Sequence, residues 1–361
     1  MDDESWRLAG SCGAMRIAVL DPYPVAAGGS ERMLASVARG LAERGHRIDL
    51  IFGEERDLVA DYRSFARSCV RLEYPKLGMR RIFSAVREAV GFRPLLQGLG
   101  SECLLAADVS QFGGLGTIAL ATGLPLVLHL GVNVEGNVRR MCWVRHVARA
   151  GIAPSEHTAC SWAAAGWPRR RLHVVPNWVD ERTMRPTWTR EEARRQLSLN
   201  PRAPLVLYLG RIVPEKGIET LLRAWGRMGS NVTFAMVGAA PPWFRTRIDV
   251  LTEELGLARE RWIMPGPTRQ SALWLRAADL TVVPSEWEEP FGLTPLEAIV
   301  AGTLPIVSSA GFLPEIVGPE NGDLVFPKGD AAALARLLAR WLPEFDRSEE
   351  RRVGKECRSR W

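Results

Sequence analysis

The chain has 361 residues, enough for two domains of ordinary size. Its 47% hydrophobic and 24% charged content suits a globular protein, and no apolar run reaches the roughly 18 residues that a bilayer span needs. The formal charge of +6 is weak evidence for a nucleic-acid partner, because the last fifteen residues, Arg347 to Trp361, carry six Lys/Arg against three Glu and so supply +3 of it.

That tail, 347–361, reads as a translated sequencing adapter and is set apart from the fold. Met1-Asp2-Asp3-Glu4 is acidic and lacks the basic and apolar regions of a signal peptide, which points to a cytoplasmic protein. Met15 directly precedes a good first strand, so 1–14 is expected to be a disordered leader or a misplaced start. Six cysteines (Cys12, Cys69, Cys103, Cys142, Cys160, Cys357) show no CxxC or His-partnered spacing and are read as reduced thiols, neither metal site nor disulfide framework.

In chain order, Arg16 to Leu20 is a strand, followed by a turn-rich stretch ending in Gly28-Gly29-Ser30-Glu31-Arg32. Met33, Leu34, Val37 and Leu41 then fall at helical spacing, and Ile48 to Phe52 is a second strand. A strand, glycine-bearing loop, helix and strand in that order predict a parallel α/β sheet. The loop is not Gly-x-Gly-x-x-Gly, which argues against a dinucleotide, but paired glycines at a helix entry let backbone approach a phosphate. From Glu54 to Ser101 the pattern is helical but noisy, with Arg63, Arg67, Arg80, Arg81, Arg87 and Arg93. A basic face toward anionic lipid is one reading of them and solvated surface the other.

Leu126 to Gly131 is a strand ending in a polar cluster, with Asn133 and Asn137 beyond. His129 at its end is either an acceptor-side functional residue or simply a hydrogen-bonded histidine. Gly151 to Ser155 is another strand, and Leu172 to Asp180 closes the first half. The charged, proline-flanked stretch Pro186 to Pro204, with amphipathic Arg190 to Leu197 inside it, is where a domain junction is expected.

The second half restarts with the strand Leu205 to Leu209 and the loop Gly210-Arg211-Ile212-Val213-Pro214-Glu215-Lys216-Gly217. Two cations five apart on a strand–helix loop suit a diphosphate, arginine as a fork and lysine as a point charge. Val232 to Val237 runs into Gly238, and Trp262 to Met264 into Gly266. Leu280 to Val283 leads into Pro284-Ser285-Glu286-Trp287-Glu288-Glu289-Pro290-Phe291-Gly292-Leu293-Thr294-Pro295-Leu296-Glu297-Ala298. Two carboxylates eight positions apart, Glu289 and Glu297, there bracket the free amides of a helix start. That arrangement suits a ligand with both hydroxyls and phosphate. Leu304 to Val307 and Asp323 to Phe326 complete a sheet of about six strands, and Ala331 to Leu342 is a final amphipathic helix.

Taken together, Gly28-Gly29-Ser30-Glu31-Arg32, His129, Val175-Pro176-Asn177, Gly210-Arg211 with Lys216-Gly217, and the Glu289-x7-Glu297 stretch resemble the retaining glycosyltransferases of family 4, over roughly residues 15 to 342. The resemblance implies the GT-B fold: two Rossmann-like αβα domains facing across a cleft, 15–182 for the acceptor and 183–346 for the nucleotide-sugar donor. It implies that Arg211 and Lys216 hold the donor diphosphate, that Glu297 accepts from the ribose hydroxyls, and that Glu289 contacts the transferred sugar. Phe291, Gly292, Leu293 and Thr294 would seat sugar and phosphate by their amides, with Gly238 beside the nucleotide. Gly28 and Gly29 would bring first-domain backbone to the donor, and His129 would sit near the reacting sugar. Trp178 stands where the family has glycine after Pro-Asn, and Ala239-Ala240-Pro241-Pro242 follows Gly238 where many relatives have a second glycine.

The implied activity is hexose transfer to a glycan or lipid-linked acceptor in cell-surface polysaccharide or glycoconjugate synthesis, without metal or cofactor and without nucleic acid. Peripheral contact at the inner, anionic face of the membrane remains open. A catalytically silent nucleotide-sugar-binding partner protein and a GT-B nucleotide-sugar epimerase are the alternatives.

Overall fold

The structure, a computed structural model, describes residues 13–25, 29–75, 82–107, 112–134, 142–228 and 232–342. Gly28, Arg80, Arg81, Asn137 and the tail 347–361 lie outside them. The chain forms two compact units, Met1–Pro176 and Asn177–Trp361.

In the first unit the strands are β1 (Arg16–Asp21), β2 (Arg47–Phe52), β3 (Ser68–Arg71), β4 (Cys103–Ala106), β5 (Leu126–His129), β6 (Ala150–Ala153) and β7 (Leu172–Val174). They pair in parallel in the order β3-β2-β1-β4-β5-β6-β7. The helices are α1 (Gly29–Glu43), α2 (Asp57–Arg63), α3 (Ile82–Leu99), α4 (Phe112–Thr122) and α5 (Glu156–Ala164). β1 is apolar from Ile17 to Leu20 because both of its faces are covered. Ile17 and Val19 join Leu34 and Ala38 of α1 on one face, while Ala18 and Leu20 join Phe92 and Leu96 of α3 on the other.

Where the helical reading of Glu54 to Ser101 expected no strand, β3 pairs with β2. As an edge strand it is only partly buried, so Ser68-Cys69-Val70-Arg71 carries no apolar signature. β4 and α4 were likewise silent in the sequence. The glycines of α4 lower its helical propensity but let neighbours come close: a Cβ on Gly114 would lie 2.5 Å from the Pro75 carbonyl oxygen, and one on Gly116 would lie 2.8 Å from the Trp143 ring.

The second unit holds β8 (Leu205–Leu209), β9 (Thr233–Val237), β10 (Trp262–Gly266), β11 (Leu280–Val283), β12 (Leu304–Ser308) and β13 (Val325–Phe326), parallel in the order β10-β9-β8-β11-β12-β13. Its helices are α6 (Glu181–Met184), α7 (Arg190–Gln196), α8 (Ile218–Trp225), α9 (Pro242–Glu254), α10 (Ser271–Ala277), α11 (Leu293–Ala301), α12 (Leu313–Val317) and α13 (Ala331–Trp341). Alternation again splits the core. Val206 and Tyr208 meet Leu221, Leu222 and Trp225 of α8, and Leu205 and Leu207 meet Leu273, Leu275 and Ala298. β13 is shorter than Asp323 to Phe326 because Pro319–Leu324 winds into a 3₁₀ segment.

The stretch Pro186 to Pro204 packs as part of this second unit. A capping box at Thr189 and Glu192 starts α7. Arg194, 4% exposed, donates to the carbonyls of Ala277 (2.8 Å) and Pro201 (2.9 Å) and to Asp279 Oδ2 (2.6 Å). No helix among the described residues is long and apolar enough to cross a membrane.

Asp279 also accepts from the Leu205 amide at the start of β8 and pairs with Arg190 at 3.5 Å, so removing Arg194 takes away the nearer of its two cations and leaves the Ala277 and Pro201 carbonyls without their guanidinium donor. Arg194→Ala is expected to destabilise the second unit by about 3 kcal/mol in denaturant titration, and a loss under about 1 kcal/mol would show that the network is dispensable.

Candidate functional site

In each sheet the chain reverses direction of winding beside its first strand, at β1/β4 and at β8/β11. Ligands of open parallel sheets collect beyond the carboxyl ends of the strands at such points. In the second unit, Gly210 to Gly217 follows β8 and Pro284 to Gly292 follows β11. The Glu215 carbonyl accepts from the Glu286 amide (3.0 Å) and the Trp287 amide (3.1 Å). Gly217 is left-handed at φ +69°, and a Cβ there would fall 1.8 Å from the Pro284 carbonyl oxygen. Gly238, after β9, is equally close-packed, since its Cβ would fall 1.7 Å from the Gly210 carbonyl oxygen. Gly311, after β12 and at φ +57°, touches the Glu289 backbone in the same way.

This packing brings two of the predicted side chains into contact. Lys216 Nζ donates to Glu289 Oε1 at 2.6 Å, and Glu289 is only 8% exposed. The ammonium also lies 5.8 Å from the Trp287 ring centre. The neighbouring carboxylates are held for other work. Glu288 accepts from the Gly311 amide (2.7 Å) and pairs with Lys328, and Glu286 accepts from the Thr220 hydroxyl (2.6 Å).

Arg211 projects from the same loop with its side chain exposed. Its carbonyl accepts from the buried Tyr208 hydroxyl. Burial pushes that phenol far above its ordinary pKa, the Glu289 charge adds to the shift and Arg211 opposes it, so the proton stays on Tyr208 to hold the loop.

Gly292, at φ +102°, caps α11, and any Cβ there would strike Leu313 at 2.6 Å. Phe291 points away from the loop surface: it is 2% exposed and stacks on Phe312 at 5.5 Å, so its backbone is what it offers the site. Leu293 and Thr294 open the helix with amides that have no intrahelical acceptor, and the Thr294 hydroxyl donates to the Leu209 carbonyl at the end of β8 (3.3 Å). Glu297, 5% exposed, sits on the first turns of α11.

In the first unit, the start of α1 and the end of β5 meet. A Cβ on Gly131 would fall 2.4 Å from Ser30 Oγ and 3.4 Å from His129 Nδ1. His129 is 3% exposed, and Gly29 is the first residue of α1. Beyond His129, the Val132 carbonyl accepts from the Trp162 indole (2.8 Å) and Asn133 accepts from the Thr158 hydroxyl (2.9 Å), which fixes the loop on α5. Asp21, buried at the end of β1, escaped the sequence reading. It faces Tyr62 and Tyr74, whose phenols are raised by burial and further by its charge. Of the arginines read as a lipid-facing set, Arg63 pairs with Glu55 (2.7 Å) and Arg67 with Asp49 (3.1 Å), while Arg87 and Arg93 are exposed. Among the described residues no cluster of three or more His, Cys, Asp or Glu is placed to hold a metal ion.

Residues 27–183 match the family model Glycosyltransferase Family 4, and residues 189–360 match Glycosyl transferases group 1. The chain belongs to the group 1 glycosyltransferases. The match to HepE of Anabaena crystallised with UDP and glucose has a TM-score of 0.81 at 18% identity, covering 96% of this chain and 94% of that one. Sucrose-phosphate synthase from Thermosynechococcus elongatus matches with a TM-score of 0.77 at 23% identity, over 96% of this chain and 94% of that one. The fold is thus GT-B, built of two Rossmann-like domains. Among curated relatives of this glycosyltransferase, the D-inositol 3-phosphate glycosyltransferase of Xylanimonas cellulosilytica is 31% identical over 199 residues, 53% of this chain and 47% of that protein. That of Thermobispora bispora is 38% identical over 186 residues, 47% of this chain and 43% of that protein. The chain spans about half the length of the curated relatives it matches.

Sequence reasoning singled out the charged side chains on these loops and not Tyr208, Trp287 and Gly311, which touch the loops rather than carry a motif. The contact at Gly217 yields a direct test. Gly217→Ala is expected to separate the two loops and weaken nucleotide binding at least about tenfold in calorimetric titration, because both the left-handed backbone and the carbonyl contact forbid a side chain. Gly256→Ala, left-handed at φ +63° but with open space around it, should cost only about 1 kcal/mol of stability and leave binding unchanged.

Proposed function

We propose that the protein transfers a hexose from a nucleotide-diphosphate sugar to a glycan or lipid-linked acceptor, with retention of anomeric configuration and without a metal ion, in surface polysaccharide or glycoconjugate synthesis. The observation that carries this reading is the meeting of Lys216 and Glu289 at the β8/β11 switch point, with Arg211 on the same loop and Glu297 on the helix that follows. A phosphate chemistry and a hydroxyl chemistry sit side by side there, as a nucleotide-sugar requires.

Cleaving the sugar–phosphate bond moves negative charge onto the departing diphosphate. Arg211, Lys216 and the amides at the start of α11 stabilise that charge more in the transition state than in the ground state. Two fixed cations perform the task that a metal ion performs elsewhere. Glu289 and Glu297 accept from sugar and ribose hydroxyls and position the donor, Gly238 leaves room for the nucleotide, and the departing phosphate takes the acceptor's proton on the face it leaves. No protein nucleophile is assigned. In the first unit, Gly28 and Gly29 are assigned to the donor, and His129 to the reacting sugar and the acceptor.

A donor screen for transfer or hydrolysis, beginning with UDP-glucose, the ligand crystallised with HepE of Anabaena, tests the reading. Arg211→Ala or Lys216→Ala should lower kcat by about a hundredfold or more, and near-normal turnover in both would remove the diphosphate role. Glu297→Gln should weaken nucleotide binding about tenfold, whereas Glu289→Gln should change rate or sugar choice and leave nucleotide affinity in place. Identical nucleotide affinities for Glu297→Gln and the unaltered protein would contradict that division. EDTA should leave turnover intact, and its loss on chelation would overturn the metal-free chemistry.

A further inference from the structure

The carboxyl edge of the first unit's sheet carries Asp21, His129 and the loop to Asn133. The opposite edge, where β5, β6 and β7 begin, carries a different chemistry. Arg149 immediately precedes β6, Arg170 and Arg171 immediately precede β7, and His173 lies within β7. Because the three strands are parallel and adjacent, their starts fall side by side. Two contiguous hollows result, of about 420 Å³ and 450 Å³, which share Arg149 and Arg171; His146 lines the second. Among the described residues, no acidic one lines either hollow.

Some arginines of this unit have a carboxylate partner and others, such as Arg44 and Arg71, reach only backbone carbonyls. Arg16, Arg56, Arg63, Arg67 and Arg169 each pair with a carboxylate. Among the described residues, no carboxylate pairs with Arg149, Arg170 or Arg171. Arg171 is steered into the groove by long contacts from Nη1 to the carbonyls of Arg145 (3.5 Å) and Ala148 (3.4 Å), which leave its charge uncompensated. Three guanidinium groups at adjacent strand starts make this edge locally positive. Planar forks of this kind match phosphate oxygens.

We propose that this groove is a second anion site, one for phosphate groups, separate from the donor pocket of the other unit. The phosphate can come from a lipid headgroup or from a soluble phosphorylated compound. Leu120, 64% exposed on the rim, would meet the acyl boundary in the first case and water in the second.

The test uses the full chain carrying Arg211→Ala and Lys216→Ala, so that the donor pocket no longer takes up phosphate. In calorimetric titration with pyrophosphate and in co-sedimentation with phosphatidylglycerol vesicles, phosphatidylcholine vesicles serving as the control, this chain should bind at least one probe. Adding Arg149→Gln and Arg170→Gln, both exposed and without hydrogen-bond partners of their own, should weaken that binding about tenfold or more, with thermal unfolding unchanged. Loss of vesicle binding identifies a headgroup site, and loss of pyrophosphate binding alone identifies a soluble ligand. Absence of binding to both probes would overturn the proposal. So would binding that survives the Gln pair, or vesicle binding that instead disappears on Arg87→Gln and Arg93→Gln.

Discussion

Backbone pressed against backbone sets the geometry of the second unit's site. The peptide at Gly217 lies so close to the Pro284 carbonyl that no side chain fits between them, and the Glu215 carbonyl bridges to two consecutive amides of the facing loop. Such contacts tolerate less drift than side-chain packing, because the peptide group has no rotamers to exchange. Lys216 and Glu289 flank this seam on either side, so the positions of an ammonium and a carboxylate are inherited from main-chain geometry. Gly238 against Gly210 and Gly311 against Glu289 extend the same seam across four strands.

The first unit applies a similar device with smaller means. Gly131 lets the start of α1 approach the end of β5, so Ser30 and His129 flank one glycine. In both units the parallel order and its reversal beside the first strand decide which loops meet, and small residues decide how closely. The charged groups come last in this hierarchy and are the part to which the proposed chemistry is assigned.

Much of this was legible in the sequence, and unevenly so. Strands covered on both faces, such as Leu205–Leu209 and Leu280–Val283, announce themselves as apolar runs. The partly buried edge strand at Ser68–Arg71 and the glycine-rich helix Phe112–Thr122 do not, because their conformations are imposed by neighbours rather than by local preference. In the site, Arg211, Lys216, Glu289 and Glu297 stood out because charges at strand–helix junctions are chemically conspicuous. The Lys216–Glu289 contact could not be read, since it depends on which loops the strand order brings together across 73 positions of chain. Tyr208 was hidden for the opposite reason, as an aromatic within a strand looks like core until its hydroxyl is seen to reach the Arg211 carbonyl.

Under the proposed function, the ion pair between Lys216 and Glu289 would have a selective effect. Each partner already satisfies the other in a largely buried setting, with side chains 21% and 11% exposed. A molecule offering only phosphate would draw off the ammonium and leave a carboxylate stranded, and one offering only hydroxyls would do the reverse. Only a molecule presenting both groups at once compensates both partners. If the proposed donor binds here, the pair would act as a logical conjunction that discounts fragments and admits the intact two-part molecule.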